Sequence, residues 1–253
     1  MLDRRTLFQA LAGAAALNAI HTSGALAATP RALDRWAQDV ADLNRDLAAA
    51  KIALTDWQDR IVALDTGVNL GDLRRYLNFD RLTKAMAFPT NLAETADPKF
   101  PATINVAGTE RPWFIRFFGM RQGGAIIPHV HNNMVSAHLV IEGQFHARTF
   151  DRVKDLPEEK AVLLRPRLDG TIKPGDAITM SDDRDNSHWL IAQEDRSFTF
   201  DVGVLNLSKT RAYGLKANDY NMIFVDPTAA PNGQRLIRAP TLSFDACQAK
   251  FAP

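Results

Sequence analysis

The sequence of 253 residues has a single cysteine, Cys247, so no intrachain disulfide can form and no cluster of thiolates can hold zinc. It also lacks an excess of charge. Its 30 Lys and Arg against 29 Asp and Glu leave a formal net charge of +1, and the basic residues are scattered rather than gathered into runs. That excludes a broad phosphate-binding surface, and with it nucleic acid as a partner. Past the first thirty residues no apolar stretch reaches bilayer length, so the mature chain is expected to be soluble and free of membrane. No repeat or low-complexity segment occurs. The composition, 46% hydrophobic and 23% charged, leaves room for a real core and suggests one main domain with an appendage.

The first residues read as an address rather than as fold. Asp3 to Phe8 carry the adjacent pair Arg4-Arg5, followed by an alanine-rich apolar stretch to Ile20 and the small-residue site Ala25-Leu26-Ala27. This is the pattern of a signal peptide, residues 1–27, and the paired arginines point to the twin-arginine route to the periplasm. An ordinary secretory signal or a short retained anchor are the alternatives. Signals of that kind export proteins already folded, often with a metal inserted, which agrees with a metalloprotein.

From Thr29-Pro30, a good cap and first turn, a segment free of Gly and Pro runs to about Asp65. Its apolar positions (Leu33, Trp36, Val40, Leu43, Leu47, Ala50, Leu54, Trp57, Ile61 and Leu64) recur in alternating steps of three and four. This predicts one long amphipathic helix. The stripe packs along its own domain or zips against a second copy in a homodimer. Shorter helical pieces follow at 70–77 and 79–88, completing a helical extension over 28–95. From about Phe100 the texture changes to short apolar or alternating runs: 102–106, 113–118, 125–131, 137–141, 145–150, 162–165, 177–180, 189–192, 198–205 and 221–225. Turn formers separate them, such as Gln122-Gly123-Gly124, Glu142-Gly143, Asp169-Gly170 and Pro174-Gly175. Closely spaced short strands mean an all-β core, either a sandwich or a closed barrel, over 96–230. Residues 231–253 read as a C-terminal wrap ending in a helix near 244–251.

Three histidines, His129, His131 and His138, fall within ten residues. On a strand, positions two apart face the same way, so His129 and His131 present both imidazoles to one side, close enough to share an ion. Gly123-Gly124 and Pro128 precede them, and Ile141-Glu142-Gly143 follows. On these residues the chain resembles the cupin superfamily, whose first motif runs from a glycine through His-x-His to a glutamate and a glycine. Its second motif places a further histidine after a Pro-Gly-Asp turn, matched by Pro174-Gly175-Asp176 and His188, with Asp183-Arg184-Asp185 standing where Pro-x-Gly is usual. The resemblance covers about sixty-five residues. It implies a cupin-like double-stranded β-helix (jelly-roll) barrel with an N-terminal α-helical extension, and one divalent metal ion on His129, His131 and His188.

The family's metal-binding glutamate position is held by Ser136, a poor ligand. Three neutral imidazoles with open positions resemble the cysteine-dioxygenase-like branch, where Fe(II) meets a small substrate and O2. Mn, Zn or Cu are the other metals three imidazoles accept. His138 is either a fourth ligand or a hydrogen-bonding and proton-transfer residue in the pocket. Arg116, the positional match to a substrate-carboxylate arginine, is expected to bind the anionic group, with Arg121 as the alternative. Asp201 and Trp189 are candidates for lining the cavity or orienting a ligand histidine, Tyr213 and Tyr220 for supplying a phenol, and His146 for the surface. Two functions compete, an exported Fe(II) oxygenase of a small polar or anionic substrate and a non-catalytic periplasmic metal- or small-ligand-binding cupin. A metal-dependent isomerase or lyase is the third.

Overall fold

The computed structural model describes residues 30–106, 113–208 and 210–252; the proposed signal segment lies outside them. Four helices come first: α1 (Pro30–Ala48), α2 (Leu54–Thr66), α3 (Leu70–Tyr76) and α4 (Phe79–Thr83). Eleven strands follow: β1 (Glu94–Ala96), β2 (Trp113–Met120), β3 (Ala125–His131), β4 (Met134–Glu142), β5 (Phe145–Leu156), β6 (Ala161–Ile172), β7 (Ala177–Met180), β8 (Ser187–Ala192), β9 (Ser197–Leu205), β10 (Met222–Phe224) and β11 (Ile237–Pro240). Helix α5 (Phe244–Phe251) closes the chain. No described helix is long and apolar enough to cross a membrane.

The strands pair into two antiparallel sheets, one of order β1-β2-β9-β4-β7 and one of order β10-β3-β8-β5-β6-β11. Their inner faces meet. Met120 and Val140 of the first sheet pack with Phe145, Ala147 and Leu190 of the second, which gives the all-β jelly-roll core. Alternation assigns the faces of β4 and β9. Val135, Ala137, Leu139 and Ile141, with Phe198, Phe200, Val202 and Val204, turn outward under the helices. Ser136, His138, Thr199 and Asp201 therefore turn inward. Both faces are buried, which is why these strands read as nearly continuous apolar runs.

The single long helix expected over 30–65 is two helices. The chain breaks after Ala48, Ala50 takes φ +54, and α2 starts at Leu54. An unbroken helix of that length would extend about 54 Å, far past the sheet it covers. Folding back lets Trp36, Val40 and Leu43 of α1 and Trp57 and Ile61 of α2 share one core with the outer face of β4 and β9. Trp57 Nε1 donates to Asn44 Oδ1 at 2.9 Å and ties the pair. The stripe thus packs on its own barrel.

Three other local expectations are corrected. Residues 102–106 form no strand: Ile104 N–H bonds back to Pro101 O, and Asn105 docks on α1 through Gln38 and Arg45. Asp169-Gly170 is no turn but lies inside β6, opposite Arg148 and Ala147 of the long β5, because tertiary pairing outweighs local turn preference. The helix expected over 79–88 stops at Thr83. Two strands had no sequence signal, β1 and β11; the latter draws the C-terminal segment into the six-stranded sheet. At the β4–β5 hairpin Gly143 has φ +69, and any Cβ there would sit 2.7 Å from Ser197 Cα, so the turn requires glycine.

One buried group is at odds with its surroundings. The Asp65 carboxyl, on α2 and 1% exposed, has no hydrogen-bond partner on either oxygen. Burial, with the Asp201 carboxylate adding to it, raises its pKa well above the usual range. The folded state therefore prefers the neutral acid, and folding becomes less favourable as pH rises from about 3.8 toward the raised value. Asp65→Leu is expected to stabilise the protein at pH 7 by about 1–3 kcal/mol, with the gain shrinking toward pH 4. Thermal unfolding at the two pH values checks this; an unchanged or lower midpoint at pH 7 would contradict it.

Candidate metal centre

Strand β3 carries His129 and His131 on its inner face, and His188 lies directly opposite His129 on β8. A bulge between Ile126 and His129 shifts the register there; bulges of this kind re-aim side chains. The result is a compact group. Ring centroids of His129 and His188 are 4.3 Å apart, those of His129 and His131 4.6 Å, and those of His131 and His188 5.2 Å. One nitrogen from each of the three lies within 4.8 Å of the others, a grouping that could hold a metal ion.

The hydrogen bonding fits such a cation. His129 Nδ1 lies 2.7 Å from Ile127 O. A carbonyl only accepts, so Nδ1 carries the proton and Nε2 is left with a lone pair, the arrangement typical of ligating histidines. Both ring nitrogens of His131 and Nδ1 of His188 are buried without any partner, a costly state for polar atoms unless something fills the centre. Burial holds the His129 pKa down at about 4, with the Ile127 carbonyl opposing and His138 adding to the depression. Burial first, then the neighbouring imidazoles, holds His131 and His188 well below their usual value. Neutral imidazoles are the ligating form.

The strand carrying His131 is clamped from behind. Asn186 accepts from His131 N–H at 3.1 Å and donates to His131 O at 3.0 Å, and Arg152 Nη1 donates to the same carbonyl at 2.7 Å. Arg152 is itself half-buried and paired with Asp155 at 2.7 Å. Neither residue stands out in the sequence, because nothing local marks a side chain that serves a backbone twenty or fifty residues away.

His138 faces the group from the other sheet, its ring 4.9 Å from that of His188. Its Nδ1 lies 2.5 Å from Asp201 Oδ2, and its Nε2 lies 3.2 Å from Ser136 Oγ. Asp201 thus lies against His138 rather than against one of the three grouped histidines, in close contact but without the alignment of a hydrogen bond, and the grouped set does not include His138. Arg116 belongs to the same inward row, opposite Asp201, but Asp97 takes its guanidinium through Nε at 2.6 Å and Nη2 at 3.1 Å near the barrel rim. The guanidinium expected to bind a substrate's anionic group is thus paired with a carboxylate of the chain itself. Arg121 bonds Asn91 at the surface.

Trp189 does not line the cavity. Adjacent strand positions face opposite ways, so with His188 inward the indole turns outward onto Phe251 at 4.9 Å. Tyr213 donates to Asp182 Oδ2 at 2.6 Å, Tyr220 is exposed, and His146 pairs with Asp169 near the surface. None of these reaches the centre.

Fold and site together define a two-sheet β-barrel protein with a buried three-histidine group able to hold a metal ion. No family model and no curated protein matches the chain. Among solved structures it is similar to KdgF from Halomonas sp., at 15% identity and TM-score 0.30 over 45% of this chain and 78% of that one. It is similar to a cupin superfamily protein from Desulfitobacterium hafniense at 12% identity and TM-score 0.32, covering 49% and 87%. A vicilin from Solanum melongena aligns at 17% identity and TM-score 0.35, covering 51% and 33%. The architecture of this chain rests on its own strand pairing, and none of these likenesses says what it binds.

Proposed function

We propose that the protein is an exported, mononuclear metal-dependent enzyme of the cupin type, an Fe(II) oxygenase of a small polar or anionic molecule in the periplasm. The observation that carries the reading is the donor set: three neutral, buried imidazoles with no carboxylate among them, the expected glutamate position being Ser136. His129, His131 and His188 would hold the Fe(II), which would supply a cationic, redox-active centre for chemistry between a small substrate and O2. The rest is the work of the chain. The Asp201 carboxylate beside the His138 ring favours the tautomer with the proton on Nδ1, so that Nε2 accepts from the Ser136 hydroxyl. That leaves a hydrogen-bonding pair beside His188, suited to accept or return a proton as substrate binds. The apolar wall of Met120, Val140, Phe145 and Leu190 keeps bulk water from that end of the barrel.

The depth of the histidines, 2–4% exposed, favours the second reading, a periplasmic cupin that holds a metal or a small ligand without turnover. One experiment separates the two. Anaerobically purified protein loaded with Fe(II) is expected to consume O2 with at least one member of a panel of small thiols and carboxylates. Asp201→Asn is expected to retain iron but lose most of that rate, since proton transfer by a positioned side chain contributes about 100- to 10,000-fold. No oxygen uptake with any member, with iron fully bound, would leave the storage reading standing.

A further inference from the structure

A recess of about 370 Å3 lies between β7, the edge strand of one sheet, and the β5–β6 pair of the other, bounded by Thr149, Arg167, Ile178, Arg184 and Asp185. Its position relative to the histidines follows from register. Thr149 sits directly across from His188 on β8, and Ile178 directly across from His138 on β4. Directly opposed residues have Cβ atoms about 5 Å apart. The recess is therefore one side chain away from the candidate metal centre, at the opposite end of the inward row from Arg116.

Two of its three charges, Arg184 and Asp185, are neighbours in the chain, and Arg167 is the third. Asp185 adopts φ +52, a left-handed conformation that glycine enters freely and aspartate tolerates. A glycine there would place nothing in the recess. Asp185 instead accepts from Thr149 Oγ1 at 2.8 Å, while its N–H bonds Asp151 Oδ1 at 3.0 Å. Arg167 faces it with donors to spare. Its Nε is 3.6 Å from Asp151 Oδ2 and 3.9 Å from Asp185 Oδ1, both beyond hydrogen-bond range. Arg184 is held by Asp59 through Nη2 at 2.6 Å, which leaves its other donors to a ligand.

A simple anion entering here would meet the Asp185 carboxylate as well as two guanidiniums. A molecule that carries a hydrogen-bond donor beside its own carboxylate satisfies both signs, because the guanidinium fork pairs with the carboxylate and Asp185 accepts from the donor. We propose that the recess binds a small 2-hydroxy- or 2-amino-carboxylate, its carboxylate on Arg167 and Arg184, its donor on Asp185, and its remainder directed over Thr149 and Ile178 toward His188. The purpose of this binding rests on the metal-dependent reading above, but the binding itself does not.

Calorimetric titration of the full-length protein, zinc-loaded and metal-free, with L-lactate, L-alanine and propionate tests the proposal. Lactate or alanine is expected to bind at least tenfold more tightly than propionate, which has the carboxylate but no donor; whichever of the two binds better identifies the donor as hydroxyl or ammonium. Arg167→Gln is expected to weaken that ligand tenfold or more. Asp185→Gly, which suits the backbone at that position, is expected to abolish the preference over propionate while zinc content and the unfolding midpoint stay at or above those of the parent. Equal binding of all three acids, no binding of any, or parental affinity in both variants would overturn the inference. If the parent holds no zinc yet still discriminates the acids through Arg167 and Asp185, the metal reading fails and this one stands; if zinc is bound stoichiometrically without discrimination, the reverse holds.

Discussion

His188→Ala is expected to reduce retained metal from one ion per chain to a trace, an affinity loss of more than about 100-fold. The loss of a mere supporting partner behind a ligand already costs about 10- to 100-fold, and His188 is one of the three donors grouped among the described residues. With two imidazoles left on one strand, the cation loses the only donor that the facing strand β8 supplies. Elemental analysis of protein isolated from its native compartment, before and after the substitution, is the measurement. The parent should also respond to chelation. A ligand present at a thousand times its dissociation constant stabilises a fold by about 4 kcal/mol, which for a chain of this size is a midpoint shift of about 8–16 °C. The chelator should lower the parent's midpoint by that order and leave His188→Ala unmoved. Full occupancy in the variant would dismiss the proposed ligand set.

The metal-free protein is expected to lose stability steeply in mild acid. In the unfolded chain a histidine takes up its proton near pH 6.5, whereas burial keeps the folded His129 neutral down to about 4 and His131 and His188 neutral further still. Between those values the unfolded state binds more protons, so stability rises with pH and falls as pH drops below 6.5. For His129 the gap amounts to about 3 kcal/mol. The other two act in the same direction, and the total stability of an ordinary domain is only about 5–15 kcal/mol. The raised pKa of Asp65 works in the opposite sense, as one group against three. Urea unfolding of chelated protein at pH 7 and pH 5 should show a clearly lower midpoint at pH 5, and His131→Leu should flatten the difference. Coincident midpoints would mean that the imidazoles are not buried as a neutral group.

Much of the local structure was legible because it follows from periodicity. The spans of β3 and β7, and the C-terminal helix over 244–251, match their sequence readings, since each is a short run bounded by turn formers or caps. The shared face of His129 and His131 follows from the two-residue repeat of a strand. The same rule, applied one step further, places Trp189 on the opposite face from His188. The misplaced residues are those whose position depends on contacts distant in sequence. Asp97 takes Arg116 across nineteen residues, and an alanine-rich stretch with good helix propensity still breaks at Ala50, because two short helices cover the sheet better than one long one.

By itself the sequence determined the inventory: which segments alternate as strands, which stripe needs a surface to cover, and that His129 and His131 share one face of a strand. These are set by spacing within a few residues, where backbone geometry leaves little choice. Only the tertiary structure decided that His188 lands opposite His129, that Asp201 reaches His138 from a strand sixty residues later, and that Thr149 and Asp185 border a recess next to them. Strand register across two sheets depends on the packing of the whole core, and no local pattern carries that information.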